Sequence, residues 1–100
     1  MRTENRGDTL LITDIPTLTS ETCRAFKKYA HGALRAEHKF VEVDLSRART
    51  VDSDGIGALI SVHKAICDRG GQVRLLQPAP LIAGMFKLLK LDPLFEIVPR

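Results

Sequence analysis

The chain has no tryptophan, 5% aromatic residues, and only two cysteines and five prolines in 100 residues. Cys23 and Cys67 lie far apart, with no CxxC spacing and no histidine pair beside them. That excludes a disulfide framework and a zinc site, and both thiols read as small buried hydrophobes in a reducing compartment. No apolar run approaches the ~20 residues of a membrane span. The polar stub of residues 1–8 lacks the apolar core of a secretory leader. No run of Lys or Arg marks a nucleic-acid footprint, because 15 basic residues are interleaved with 12 acidic ones. The expectation is a cytoplasmic protein with no membrane insertion and no nucleic-acid partner.

What is present suits one small core: 44% of the residues are hydrophobic and 27% charged. A chain of this size buries roughly 60 to 70% of its unfolded surface, enough for one domain over residues 1–100 and no second.

Thr9 to Ile15 is a β-branched, apolar run closed by Pro16, and it reads as a strand. Thr19 or Ser20 can cap a helix that reaches about Ala36, with Thr22, Phe26, Tyr29 and Ala33 as its stripe. Phe40 to Leu45 alternates at period two and predicts the next strand. Polar residues Asp52, Ser53 and Asp54 then open a second helix, on which Ile56, Leu59, Ile60, His63, Ile66 and Cys67 share a broad apolar face. Ala58, Val62 and Ala65 form a flank of that helix. Gly70-Gly71 ends it, Gln72 to Leu76 reads as a strand, and Pro80 opens a third helix with Leu81, Met85, Leu88 and Leu89 as its predicted buried stripe. That helix stops at Asp92-Pro93, and Phe95 to Val98 reads as a terminal strand. Ahead of them all, only Arg2 to Asn5 is available for an N-terminal strand.

Strands alternating with helices through short connections predict an α/β domain: a mixed, mostly parallel sheet of four to five strands packed with three main helices. In such sheets, functional groups collect at the carboxyl ends of strands. That directs attention to Asp44 through Gly57.

Enzyme chemistry is hard to build from these residues. Asp44, Asp52 and Asp54 could in principle hold a hard cation or act as a phospho-receiver. The strand Gln72 to Leu76, however, leads into Gln77-Pro78 with no lysine. A Ser53/His63 pair fails because His63 lies nearly three helical turns beyond Ser53. His63 reads as a satisfied histidine at the core's edge, and His31 and His38 read as surface residues. Gly55-Ile56-Gly57 lacks the third glycine and the lysine of a phosphate loop. No catalytic residue, metal or cofactor is expected.

Four segments together resemble the STAS domain, typified by bacterial anti-sigma factor antagonists. They are Val43-Asp44-Leu45-Ser46, Val51 through Leu59 (VDSDGIGAL), Arg69 through Leu75 (RGGQVRL) and Leu91 through Phe95 (LDPLF). The resemblance implies a non-catalytic regulatory domain whose protein partner is an anti-sigma factor of the histidine-kinase-like ATPase type. In the antagonists that this sequence resembles, the loop before the second helix reads Asp-Ser-Ser-Gly-Leu-Gly and its second Ser is phosphorylated. Asp54 stands at that position here, a fixed −1 charge where a phosphate would carry about −1.5 to −2. Ser53 is the remaining hydroxyl, either a helix cap or a displaced phosphate acceptor, and Asp52 reads as an acceptor for loop N–H groups.

The partner is expected to meet Asp52, Ser53, Asp54, Gly55, Ala58, Ser61 and Val62, unless Ala58 and Val62 pack on a neighbouring helix instead. Asp54 leaves two readings open: a chain locked in a phosphorylated-like state, or a partner adapted to an acid and bound constitutively. The resemblance also admits another function, a small STAS subunit docking on the ATPase of a lipid-transport ABC system. One further departure is Lys90, where the family commonly has Gly; a differently shaped terminus of the third helix is expected there.

Overall fold

The computed structural model describes residues 1–99. Along the chain run β1 (Arg2–Arg6), β2 (Thr9–Thr13), β3 (Thr17–Leu18), α1 (Cys23–Ala33), β4 (Phe40–Asp44), β5 (Thr50–Val51), α2 (Ser53–Cys67), β6 (Gln72–Leu76), α3 (Pro80–Leu88) and β7 (Phe95–Val98). Five strands form one sheet in the order β1-β2-β4-β6-β7, all parallel except the antiparallel edge strand β1. Each of α1, α2 and α3 joins two adjacent parallel strands, as short connections require. The α/β fold anticipated from the sequence is the one observed.

Alternation sorts the sheet into two faces. Leu10, Ile12, Val41, Val43, Val73, Leu75 and Phe95 are buried in the core, with Phe26 of α1, Leu59 and Ile66 of α2 and Phe86 of α3. The other face is mixed, with Leu11, Phe40, Leu76 and Val98 among its polar residues. There Arg74 lies between Glu42 (3.3 Å) and Glu96 (3.0 Å), its register neighbours, and stacks 4.1 Å above the Phe40 ring.

Several sequence expectations are corrected. The N-terminal strand is no stub: Arg6 pairs with Thr9 across the two-residue loop Gly7-Asp8, and five rungs join β1 to β2. A second, two-stranded sheet pairs β3 with β5, where no strand was expected from the sequence. Helix α1 ends at Ala33 rather than Ala36, and Phe26 and Ala30 are its buried residues while Tyr29 is exposed. The small Ala30 lets α1 lie along α2. Cys67 is exposed and Cys23 half-buried.

His38, expected on the surface, is fully buried. Its Nδ1 accepts from the Arg35 N–H (2.9 Å), so its Nε2 carries the proton and donates to Asn5 Oδ1 (2.6 Å), tying β1 to the loop before β4. His63 sits edge-on to Phe95 at 5.7 Å, and its buried Nδ1 has no hydrogen-bond partner among the described residues, which departs from the satisfied histidine expected. On α3, Ile82 and Phe86 are buried, whereas Leu81, Leu88 and Leu89 are exposed. This helix is apolar nearly all round, so hydrophobicity alone could not choose its inner face.

The ends of α2 and α3 share one device. After α2, Gly70 N–H donates to Cys67 O (2.9 Å) and Gly71 N–H to Ile66 O (3.0 Å), with Gly70 at φ 74°. After α3, Lys90 N–H donates to Lys87 O (3.0 Å) and Leu91 N–H to Phe86 O (2.9 Å), with Lys90 at φ 58°. Both are Schellman closures through a left-handed residue. Lys90 therefore does not reshape the terminus; it occupies a glycine conformation.

Candidate partner-binding site

The start of α2 is assembled by Asp52. As the helix cap, its Oδ1 accepts from Gly55 N–H (2.9 Å) and its Oδ2 from Ser20 N–H (3.0 Å), while its own N–H donates to Leu18 O (3.1 Å). One carboxylate thus satisfies an orphan donor of the helix and anchors the turn that leads into α1. The N–H groups of Gly55 and then Ser20 hold its pKa below the usual 3.8.

The small sheet supplies the other half of the clamp. Thr17 pairs with Thr50, Leu18 pairs with Val51, and Arg49 N–H donates to Pro16 O (3.0 Å). This brings the Leu18 carbonyl so close to Gly55 that any Cβ at position 55 would collide with it. Gly55 is buried for that reason and serves the clamp; it is not presented outward.

Ser53 and Asp54 are exposed in the first turn of α2, as is Gly57 one turn further on. No hydrogen bond or ion pair engages the Asp54 carboxylate among the described residues. Ser53 is the first helical residue, not the cap; that role belongs to Asp52. Arg47 and Arg49 are exposed in the preceding loop, Arg47 at 3.5 Å from Asp14. Near them a polar cleft of about 190 Å³, lined by Arg2, Thr13, Asp14, Asp44, Ser46 and Arg47, opens at the carboxyl ends of β2 and β4. Among the described residues no group of three or more His, Cys, Asp or Glu side chains could hold a metal ion.

The other residues expected at the partner surface are placed differently. Ala58 and Val62 are at most 1% exposed, on the helix that α1 packs against. They form part of the core, as the packing alternative anticipated. Ser61 is half-buried, with its Oγ 2.9 Å from His31 Nε2, so it links α2 to α1. The structure therefore brings Asp52, Ser53 and Asp54 together and withdraws Gly55, Ala58 and Val62. Sequence reasoning missed Ser20: a contact across 32 residues through a backbone N–H leaves no side-chain signature.

Fold and site together define a small α/β domain that exposes an acid at the amino end of its second helix. The chain belongs to the STAS domain family: the family model described as "Mlab, STAS domain" matches residues 4–99. No curated protein matches the sequence. Among solved structures, a Thermotoga maritima protein described as a "putative anti-sigma factor antagonist" is similar at TM-score 0.88 and 20% identity, over 99% of this chain and 86% of that one. The Bacillus cell-fate determinant SpoIIAA in its phosphorylated form is similar at TM-score 0.75 and 18% identity, over 99% of this chain and 91% of that one. Its unphosphorylated form gives 0.71 at 18% identity, over 87% and 81%. These likenesses establish the fold. No helix among the described residues is long and apolar enough to cross a membrane.

Proposed function

We propose that the chain is a non-catalytic regulatory domain of the anti-sigma factor antagonist kind, binding an anti-sigma factor of the histidine-kinase-like ATPase type in the cytoplasm. The observation that carries this reading is Asp54, an exposed acid whose carboxylate has no partner among the described residues, at the position where the antagonists that the sequence resembles carry their phosphorylated Ser. Positive potential at the start of a helix tolerates an anion there. Because Asp54 cannot be dephosphorylated, it does not switch; binding is constitutive, and the partner's surface is adapted to an acid. Asp52 and Ser53 complete the contact surface. Ser53 carries no phosphate, which mass spectrometry of protein from its native host checks.

The test is the affinity of wild type and Asp54→Ser for the cognate anti-sigma factor. Loss of the charge weakens binding, by about tenfold for each 1.4 kcal/mol removed. A large gain in the variant eliminates constitutive binding and favours a chain locked in the disengaged state. A second reading, a STAS subunit docked on the ATPase of a lipid-transport ABC system, is kept because the matching family model is described as that of Mlab and not as that of an antagonist. Co-purification with a transporter ATPase instead of a kinase-like anti-sigma factor would decide for it.

A further inference from the structure

Helix α1 contains no acidic residue. Its solvent side is Arg24, Lys27, Lys28 and His31, which share an arc of about 100° turned away from the buried Phe26 and Ala30. His31 meets Ser61 of α2, and Arg35 is exposed just beyond the carboxyl end of α1. The sheet matches Arg6 with Glu4, and Arg74 with Glu42 and Glu96, while Arg47 meets Asp14. By contrast, Arg24, Lys27, Lys28 and Arg35 have no ion pair among the described residues. The acids nearest in sequence, Glu21 and Glu37, bracket the helix and do not interrupt it.

Beside this basic crest, between α1 and the segment after β2, lies an apolar groove of about 270 Å³ lined by Met1, Ile15, Pro16, Ala25, Phe26 and Tyr29. Tyr29 is 58% exposed and Met1 40%, both on the rim of the same groove. A solvated helix face accounts for the lysines. It does not account for two large apolar side chains held open next to them.

We infer that this side of the molecule docks reversibly on an anionic bilayer, with no element crossing it. Arg24, Lys27, Lys28 and Arg35 face the headgroup phosphates, while Tyr29 and Met1 reach the boundary with the acyl chains. Charge complementarity selects this occupant, and the groove supplies the apolar contact that headgroups alone would leave unused. Four basic residues stand at the lower end of the four to eight or so that mark such surfaces, so binding is weak and sensitive to salt. A nucleic acid is a poorer occupant. A duplex presents phosphates with nothing for the groove, and a single strand needs more stacking surface than Tyr29 supplies. The face is separate from Asp54, and the inference does not depend on which protein docks there.

Tyr29 is the single tyrosine and the chain has no tryptophan, so intrinsic fluorescence reports this face alone. The test is co-sedimentation of the full chain with vesicles of phosphatidylcholine and phosphatidylglycerol in equal parts. The chain binds at about 0.05 M salt and is released at about 1 M, where the screening length falls to roughly 3 Å. Brominated acyl chains quench Tyr29. Lys27→Glu/Lys28→Glu weakens binding at least about tenfold, whereas the same charge change at Arg47→Glu/Arg49→Glu weakens it no more than about threefold. All four positions are exposed, so circular dichroism of both variants matches wild type. Failure to bind these vesicles, equal binding to phosphatidylcholine alone, equal losses in the two variants, or binding without quenching overturns the inference. So does a chain that ignores the vesicles and retains an oligonucleotide.

Discussion

Gly55 and Gly57 lie two residues apart on the same helix, and replacing each with alanine should move stability in opposite directions. Alanine gains about 0.5 to 1 kcal/mol over glycine in a helix interior. At Gly57 nothing lies within 4 Å of the added methyl, so the gain is realised in full. For a domain of about 100 residues that raises Tm by roughly 2 to 8 °C. At Gly55 the same methyl would run into the Leu18 carbonyl, which is backbone and also accepts the Asp52 N–H. Relief requires moving β3 away from β5 and loosening the carboxylate clamp. Overpacking of this kind costs typically about 1 to 3 kcal/mol, so after the helical gain Gly55→Ala loses up to about 2.5 kcal/mol and Tm falls. Thermal and urea unfolding of both variants provide the measurement. If Gly55→Ala is as stable as Gly57→Ala, the clamp between Leu18 and the α2 amino end is not rigid, and the account of Gly55 as a structural residue fails.

Further outcomes follow from the same contacts. Asp52 has a folded pKa below its ordinary 3.8, so its stabilising contribution is complete above that value and is lost as pH falls through the depressed folded value. Asp52→Asn should therefore show a shallower loss of stability than wild type on acidification below about pH 4, measured by urea unfolding across that window. Lys90→Gly should stabilise the chain by up to about 1 kcal/mol, because a left-handed non-glycine residue costs about 1 to 2 kcal/mol and glycine gives part of that back as unfolded-state entropy; an unchanged Tm would contradict the strain assigned to φ 58°. His38→Ala should cost about 2 to 4 kcal/mol in urea unfolding, from two lost hydrogen bonds of about 1 kcal/mol each and the cavity left behind.

The sequence was informative wherever periodicity and punctuation acted locally. Strands β2, β4, β6 and β7 follow from β-branched alternation, and the Gly70 closure and Pro80 start follow from backbone chemistry. It misled where the choice among apolar faces depended on tertiary packing. On α3 most of the circumference offers leucine, isoleucine, methionine or phenylalanine, so burial of Ile82 and Phe86 in the core, with Phe86 edge-on to Phe95, selects the inner side. His38 was misplaced for a related reason. Its buried ring is tied to Asn5, 33 residues away on the strand that the Gly7-Asp8 turn folds back against β2. The two-residue strands β3 and β5 are too short to have a readable period.

The division of labour at the start of α2 explains why position 54 can vary without cost to the fold. A helix beginning needs one acceptor for its orphan N–H groups, and Asp52 supplies it while also anchoring Ser20. The close approach of β3 needs a residue without a side chain, and Gly55 supplies that. Asp54 lies between these two fixed points with its carboxylate unengaged, so replacing Ser by Asp there leaves every hydrogen bond of the clamp intact. Such a residue contributes little to folding beyond a weak interaction with the helix dipole. Under the proposed function, variation at 54 is read almost entirely by the partner that docks on the amino end of α2. A comparison of Asp54→Ser with wild type should accordingly separate binding from stability: Tm moves by no more than the few degrees that a dipole interaction of about 0.3 to 1 kcal/mol allows, while affinity for the partner changes severalfold or more.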